Sequence, residues 1–325
     1  MGLLDAETHL HPPGASRRAD FKGGTSLSKV YGAIARFSED VDLSFDRAAL
    51  GFGGEKDPAA APSQKQTRKR LEDLAAACKE MIHQRFAPQL TEAFAKHLGT
   101  GPAPETWQVE ADADDPDGQT LLFRYPAGLA QGALAASPYI RPVVRLEMGA
   151  RGDQWPAEEK PITPYAAESV PKPFKDPNCK VKVLAAERTF WEKAPVLHAC
   201  CHCPEERAWK ERQSRHFYDV ARLYEVGIGK RALGDLGLLR KVAEHQSVFF
   251  RSSWSKYEEA VPGTLRLVPP ESRRKELEED YRKMADMIFG EPPPLEQILS
   301  VLGEIEGAVN TPRTRAPEVR RETAS

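Results

Sequence analysis

The sequence predicts an α+β protein, with a small mixed sheet in an N-terminal domain and an α-helical domain after it. Two patterns support this prediction. Apolar and polar residues alternate in short segments of the first half, as in VDLSF at 41–45, which is typical of strands with one buried face. From Val181 onward the apolar residues follow helical spacing. Because the two patterns occupy separate halves of the 325 residues, we expect two modest domains.

In the first domain, a glycine turn is predicted to lead into a helix within 23–37, with an apolar face at i, i+3, i+4 and i+7 formed by Leu27, Val30, Tyr31 and Ile34. The strand VDLSF follows, and then a Gly/Pro/Ala-rich loop at 51–64. A helix is predicted from residue 65 to 98, and three more strands are predicted in TWQVEA, QTLLFRYP and YIRPVVRLEMGAR.

The second domain is predicted to follow a proline-punctuated linker, PITPYAAESVPKPFKDPNC. Its main predicted helices lie in VKVLAAERTFWEKAPVLHA, RHFYDVARLYEVGI, LGLLRKVAEHQSVFF and ESRRKELEEDYRKMADMIF. The predicted boundaries divide the chain into a polar leader, an α+β domain, a helical domain and a tail predicted to be disordered, at 1–20, 21–165, 166–307 and 308–325.

Composition and charge exclude several classes of protein. A net charge of −2 argues against generic coating of nucleic acid, which needs a strong basic excess, although it leaves room for a local basic groove. No apolar run of about 18 residues is present, so no membrane span is expected. The first 20 residues lack the basic start and apolar stretch of a signal peptide, so we expect a cytoplasmic protein.

The five cysteines do not predict a disulfide framework, because their number is odd and no export signal is evident. Three of them crowd with two histidines into HACCHC at 198–203. This spacing differs from the paired C-x-x-C motifs of structural zinc sites. Reduced thiols at a helix end are therefore the favoured interpretation, and metal binding by this cluster stays open.

The segment KGGTSLSKVYGAIARFSEDVDLSF holds the residues that suggest chemistry. Glycines let the backbone approach a phosphate closely, so Gly23 and Gly24 would form a phosphate turn, with Thr25 and Ser26 adding hydroxyl donors. Helix capping explains such a turn equally well when it stands alone.

Two carboxylates, Asp40 and Asp42, follow this turn on a predicted strand. Residues two apart on a strand point to the same face, and carboxylates this close repel one another unless a cation lies between them. Oxygen ligands of this kind suit Mg²⁺. A solvated strand face is the alternative, and the glycine turn one helix upstream favours the metal interpretation.

This segment resembles the first motif of the DNA polymerase β-like nucleotidyltransferase superfamily, and more narrowly the AbiEii-type nucleotidyltransferase toxins of type IV toxin–antitoxin and abortive-infection systems. Downstream, KVKVLAAERTFWEKAPVLHA, SRHFYDVARL, DYRKMADMIFG and LEQIL are similar to the helical and C-terminal motifs of that family. The resemblance covers roughly residues 20 to 307. It implies a polymerase β-like nucleotidyltransferase domain followed by a helical domain.

The resemblance also implies roles for individual residues. Gly23–Ser26 would hold the nucleotide phosphates, with Ser38 beside them in the S-x-D-x-D pattern. This sequence departs only slightly from the family pattern, because it has Gly24-Thr25-Ser26 where a glycine-serine pair is usual. Asp40 and Asp42 would bind Mg²⁺, as two ions, and Glu147 is the best match to a third carboxylate, which binds metal and helps to deprotonate the acceptor. A surface glutamate on an edge strand is the alternative for Glu147.

In the helical domain, Lys193 and Asp219 match positions that look functional in the family, and Lys193 would reach the triphosphate. An Arg215–Asp219 ion pair with a purely structural role is the alternative for the aspartate. Four aromatic residues nearby are expected to be core rather than base-stacking groups: Phe190, Trp191, Phe217 and Tyr218.

The implied function is a Mg²⁺-dependent nucleotidyltransferase toxin, active in phage defence, that transfers a nucleoside monophosphate from an NTP to RNA, such as the acceptor end of tRNA. A nearby antitoxin gene would be its counterpart. The basic run Lys65, Arg68, Lys69 and Arg70 would help to guide RNA, although a solvated helix face explains it more simply. The alternatives are a small-molecule nucleotidyltransferase of the aminoglycoside type and a non-catalytic NTP-binding regulatory protein.

Overall fold

The computed structural model describes residues 19–38, 40–98, 107–125, 143–172 and 176–311. Its strands are β1 (Ala19–Lys22), β2 (Asp40–Phe45), β3 (Gln108–Ala111), β4 (Thr120–Arg124), β5 (Val143–Gly149), β6 (Ala157–Ile162) and β7 (Cys179–Leu184). The helices of the sheet-containing half are α1 (Gly23–Lys29), α2 (Gln64–Met81), α3 (Ala87–Leu98) and α4 (Tyr165–Ser169), and a π-helical turn, Ile82–Phe86, joins α2 to α3.

The second half is helical, as predicted. It contains α5 (Ala186–His202), α6 (Ser214–Glu225), α7 (Ile228–Ala232), α8 (Leu236–Phe249), α9 (Arg274–Met284) and α10 (Leu295–Asn310). Its core includes Phe190, Trp191, Phe217 and Tyr218, each no more than 1% exposed, which confirms that these aromatic residues are core. None of the helices in the described ranges is long and apolar enough to cross a bilayer.

The seven strands form one mixed sheet in the order β3-β4-β5-β2-β1-β7-β6. The pairs β2–β5 and β1–β7 are parallel, and the other neighbours are antiparallel. The α+β class with a mixed sheet is therefore confirmed. Because β2 lies between β1 and β5, the strand that carries Asp40 and Asp42 occupies the middle of the sheet.

Helices α2 and α3 pack against the sheet through buried apolar side chains. Leu74 and Cys78 of α2 are fully buried, and Phe94 of α3 stacks on Phe123 of β4 with ring centroids 4.3 Å apart. The predicted helix from residue 65 to 98 is thus confirmed, with one π-helical turn inside it. These two helices therefore form a layer that packs against one face of the sheet.

The prediction of helix from Val181 onward is wrong for the first few residues. Cys179–Leu184 forms the strand β7, which pairs with β1 and with β6. The reason is visible in its burial, because Val181 and Val183 are buried while the lysines beside them are not. The sheet therefore takes strands from both sides of the predicted boundary at residue 165, and β6 was missed altogether.

The predicted helix after the glycine turn is also shorter than expected, since α1 ends at Lys29. Gly32 has a φ of +56°. The N–H of Ala33 still donates to the carbonyl of Leu27, and from Ala35 to Phe37 the main chain pairs with residues 287–289. Leu27 and Ile34 are still buried, in the core of the helical half. The segment between the glycine turn and β2 is therefore a short helix followed by an extended stretch, residues 33–38, which we call the strap.

At the ends of the chain, two predictions fall partly outside the described residues. The leader up to residue 18 and the tail from 312 to 325 lie outside them. Ala19 and Asp20 belong to β1 rather than to a leader. Helix α10 continues to Asn310, so the tail begins later than residue 308.

A buried ion pair joins the extended strap to the helical half. Arg36 is 3% exposed, and its Nε and Nη2 atoms each lie 2.8 Å from one of the two carboxylate oxygens of Asp219 on α6. Lys193 on α5 adds its ammonium 3.0 Å from Asp219 Oδ2. Burial alone would raise the pKa of Asp219, but these two cations outweigh it and hold the pKa well below its usual value.

Replacing Asp219 by Asn should lower the free energy of unfolding at pH 7 by about 3–5 kcal/mol, because two buried cations lose their counter-ion. In the wild type the contribution of this carboxylate is fully present above about pH 4, the unfolded-state pKa, and is lost as the pH falls through the lower folded-state value. Urea titrations of both proteins between pH 7 and pH 3 measure it. A stability difference that stays constant over that range would contradict the assignment.

Candidate active site

Three predicted carboxylates lie on one face of the sheet. Strands β2 and β5 are parallel neighbours, and Asp42 lies directly opposite Glu147 in their register. Asp40 is two residues earlier on β2, so its side chain shares that face. The structure thus brings together Asp40, Asp42 and Glu147, as the sequence predicts.

The electrostatics of these carboxylates favour a bound cation. Burial is the largest effect and raises the pKa of both Asp40 and Asp42. Loss of solvation, followed by the negative charges of the two aspartates, raises the pKa of Glu147 to about 7. Oδ1 of Asp40 is buried and accepts no hydrogen bond from the described residues. A cation among the three groups would offset their loss of solvation and the repulsion that acts on Asp42 and Glu147.

Two arginines that the prediction did not assign lie beside the carboxylates. Arg145, on β5, has Nε 3.6 Å from Asp40 Oδ1 and Nη2 3.5 Å from Glu147 Oε1. Its Nη1 is 2.9 Å from the buried Asp112, which sequence reasoning also missed. Arg215, on α6, places Nη1 3.8 Å from Asp40 Oδ2. These cations partly balance the negative charge in the structure as it stands.

The glycine turn presses directly against the carboxylate strand. Gly23 has a φ of +77°, and a Cβ atom at this position would lie only 1.9 Å from Asp42 Oδ2. A Cβ at Gly24 would meet Ser38 Oγ at 2.7 Å and Arg36 Nη2 at 2.8 Å. Both positions therefore require glycine, and the turn and Asp42 form one unit.

The hydroxyl groups of the turn donate to backbone carbonyls. Thr25 Oγ1 donates to the carbonyl of Asp40, and Ser26 Oγ donates to the carbonyl of Gly23 at 2.9 Å. Ser26 is fully buried, whereas Thr25 and Ser38 are partly buried beside Asp40. In this conformation the hydroxyls stabilise the turn and bind it to β2. This role differs from the predicted one, in which they contact phosphates.

The predicted residues of the helical half lie next to this unit. Lys193 is 8% exposed and has Nζ 3.0 Å from Asp219 Oδ2 and 3.4 Å from Nδ1 of His216. Burial, followed by the positive charge of Lys193, keeps the pKa of His216 well below its usual value, so the ring is neutral. Burial lowers the pKa of Lys193 and Asp219 opposes that effect. The charge of Lys193 also acts to lower the pKa of Asp42, against its burial.

The ion pairs of these helices differ from the one that the sequence suggests. Arg188 and Glu192 form an i, i+4 pair, with 3.1 Å between Nε and Oε1. The alternative pair of Arg215 with Asp219 does not form. Asp219 pairs with Arg36 and Lys193 instead. The side chain of Arg215 contacts Asp40. Nothing in the local sequence marks Arg36 as the partner, since 183 residues separate it from Asp219.

A cleft of about 1430 Å³ lies between α2 and the helical half, and the three carboxylates are not among the described residues that line it. Arg215 and His216 do line it, so it reaches the groups that contact Asp40 and Lys193. Of the described residues that line it, seven are cationic and one, Glu72, is anionic. Aromatic side chains lie between the cations, among them Trp209, Phe250 and Trp254.

The histidine–cysteine cluster forms the end of α5 and the residue after it. The five cysteines all lie within the described residues and none of them forms a disulfide bond, and Nδ1 of His198 accepts a hydrogen bond of 3.0 Å from the backbone N–H of Arg266. Within the described ranges, no three His, Cys, Asp or Glu side chains are arranged to hold a metal ion, either in this cluster or among the sheet carboxylates. The cluster lies at a helix end, and its interpretation as reduced thiols stays a prediction.

Comparison with known proteins agrees with the predicted family. The family described as nucleotidyl transferase AbiEii toxin, type IV TA system, matches residues 14–301. Among solved structures, MenT4, the nucleotidyltransferase toxin Rv2826c from Mycobacterium tuberculosis H37Rv, matches with 17% identity and a TM-score of 0.38, over 90% of this chain and 84% of that one. No curated protein matches. A similarity as low as that to MenT4 adds nothing to the family match, which covers most of the sequence. The chain therefore belongs to the AbiEii family of nucleotidyltransferase toxins of type IV toxin–antitoxin systems.

Proposed function

We propose that this toxin uses Mg²⁺ and an NTP to add a nucleoside monophosphate to a hydroxyl group of RNA, with the acceptor end of tRNA as the favoured target. The observation that carries the proposal is the unit formed by Gly23, Asp42 and Glu147. A turn with no room for a side chain lies against one carboxylate, and a second carboxylate faces it across two parallel strands. Such a unit can hold a phosphate chain next to a divalent cation.

The donor set fits Mg²⁺. Asp40, Asp42 and Glu147 offer hard carboxylate oxygens. Burial raises the pKa of all three, and repulsion by neighbouring carboxylates adds to it for Asp42 and Glu147. Oδ1 of Asp40 is buried and accepts no hydrogen bond from the described residues. To take up an ion, Asp40 must exchange its contacts with Arg145 and Arg215 for the metal. Bound Mg²⁺ would neutralise triphosphate charge and orient the displacement.

In the proposed reaction, the acceptor oxygen attacks the α-phosphorus of the NTP. The bond from that phosphorus to the bridging oxygen breaks, pyrophosphate leaves, and the acceptor's proton passes to Glu147. Glu147 lies opposite Asp42 in the register of β2 and β5, so it lies next to the proposed metal site where that proton is released. The Gly23–Ser26 turn would hold the phosphates, with Ser38 beside it, and Lys193 would balance charge that develops on the pyrophosphate.

The cleft supports a polymeric acceptor over a small molecule. It meets the carboxylates through Arg215, and Lys65 and Arg68 on α2 line it together with Arg207, Lys210 and Arg251 of the helical half. Cations that track a phosphate backbone, with aromatic rings among them, are the features used to bind single-stranded nucleic acid. Lys69 and Arg70, from the same basic run, pair instead with Asp73 and with the carbonyl of Asp57.

Replacing Asp42 by Asn should lower the transfer of labelled NMP to total RNA by about a thousandfold, equivalent to about 4 kcal/mol of lost transition-state stabilisation. Expression of the wild type should arrest growth, and this substitution should relieve the arrest. EDTA should abolish transfer by the wild type. Asp46→Asn, just beyond the end of the same strand, is the matched control and should remain active. Transfer by the Asp42 variant at the wild-type rate would refute the proposal.

Replacing Gly23 by Ala should reduce transfer by about a hundredfold, because the new methyl group must displace the Asp42 carboxylate. Gly32→Ala is the matched control. Gly32 also has a positive φ, but its Cβ would meet nothing within 4 Å. Both variants should lose roughly 1 kcal/mol of stability in urea titrations, from backbone strain. Equal activity of the two variants would show that the close approach of Gly23 to Asp42 has no part in the reaction.

Replacing Lys210 and Arg251 by Ala should weaken binding of a single-stranded RNA, measured by fluorescence anisotropy. For each RNA phosphate that the protein no longer neutralises, the slope of log affinity against log salt should become shallower by about 0.7. Arg240→Ala, an exposed cation on α8 that does not line the cleft, is the control and should leave the slope unchanged. An unchanged slope in the double variant would show that these cations of the cleft do not contact the RNA.

A further inference from the structure

Arg36 is a buried cation just behind the proposed phosphate site. It is 3% exposed, its Nε and Nη2 bond both oxygens of Asp219, and its Nη1 donates to the carbonyl of Phe37 at 3.0 Å. It does not line the cleft. It is therefore placed to act on the site through its neighbours.

The carboxylate of Asp219 is shared between two cations. Its Oδ2 atom lies 2.8 Å from Arg36 Nη2 and 3.0 Å from Lys193 Nζ. The neighbouring His216 is neutral. A Lys193–Asp219 pair alone would carry no net charge, whereas the group of three that includes Arg36 carries one net positive charge.

We propose that Arg36 is a positioning residue that occupies the carboxylate of Asp219, so that the positive charge of Lys193 remains available to the triphosphate of the nucleotide. This inference rests on the proposed function and deepens it. Lys193 is held in place by Asp219 without being neutralised by it.

The same guanidinium also borders the phosphate turn. Its Nη2 atom lies 2.8 Å from the position that a Cβ would take at Gly24, and Ser38 closes the other side of that position. Arginine suits this place because its fork matches a carboxylate in two parallel bonds and it keeps its charge when buried. One side chain thus sets the local charge and supports the turn.

The test is calorimetric binding of inorganic tripolyphosphate with Mg²⁺ to the full-length protein. Arg36→Gln should weaken binding by about tenfold, as expected when one charge near a phosphate site is lost. Arg36→Lys keeps the charge and loses only the fork, so it should recover most of that affinity. Wild-type affinity in a folded Arg36→Gln variant, or a Lys variant as weak as the Gln variant, would overturn the inference.

Arg273→Gln is the matched control for loss of a buried arginine. Arg273 is 5% exposed and donates to the carbonyls of Cys203 and Arg207, far along the chain from the turn. This variant should lose stability and keep the tripolyphosphate affinity of the wild type. If it weakens binding as much as Arg36→Gln does, general destabilisation explains the result and the inference fails.

A double variant keeps the inference testable if Arg36→Gln does not fold. Arg36→Gln combined with Asp219→Asn replaces the ion pair by two amides and leaves the charge of Lys193 unpaired. If the Arg36→Gln variant folds, the double variant should bind tripolyphosphate more tightly than that single variant does. If the single variant is unfolded, the affinity of the double variant should lie within about tenfold of the wild-type affinity. Weaker binding overturns the inference. Asp42-dependent transfer by the wild type would leave the proposed function standing in that case.

Discussion

The buried carboxylate of Asp219 is the constraint on which both halves of the molecule depend. An ionised carboxylate without partners in a protein interior costs several kcal/mol, so Asp219 can be buried only where cations meet it. One cation comes from α5 and the other from the strap before β2, 183 residues away along the chain. Pairing of this one carboxylate therefore holds α5, α6 and the strap that leads into β2 next to one another.

A second constraint, of space rather than charge, acts at the turn. The backbone at Gly23 lies so close to Asp42 that no side chain fits, and the hydroxyl of Thr25 binds the carbonyl of Asp40. The turn and β2 therefore move as one body. Since β2 is flanked by β1 and β5 in the middle of the sheet, the whole sheet holds this body in place. The sheet therefore supports the candidate site on one side, and the helical half contributes Lys193 and Asp219 on the other.

Much of this arrangement follows from short-range patterns in the sequence. The spacing of Asp40 and Asp42 and the alternation around Glu147 predict which side chains share a sheet face, and the family resemblance points to Lys193 and Asp219. The roles of Arg36 and Asp112 could not be predicted, because their partners are distant in sequence and leave no local pattern. Strand β7 was missed because it runs into α5 with one residue between them, so its alternation merges with a helical period. Likewise, the apolar spacing after the turn predicts a longer helix than forms, because contacts with residues 287–289 decide the conformation of the strap.

The position of β7 in the chain has a consequence for synthesis of the protein. The carboxylates of β2 are made early, but β1 stays without its second neighbour until residues 179–184 have been added. Asp219 comes later still, two thirds of the way along the 325 residues. A nascent or truncated chain that stops before this point has the carboxylates of the proposed site but lacks Asp219, the ion-pair partner of Lys193. The order of residues in the gene thus delays the appearance of a complete toxin until most of the polypeptide has left the ribosome.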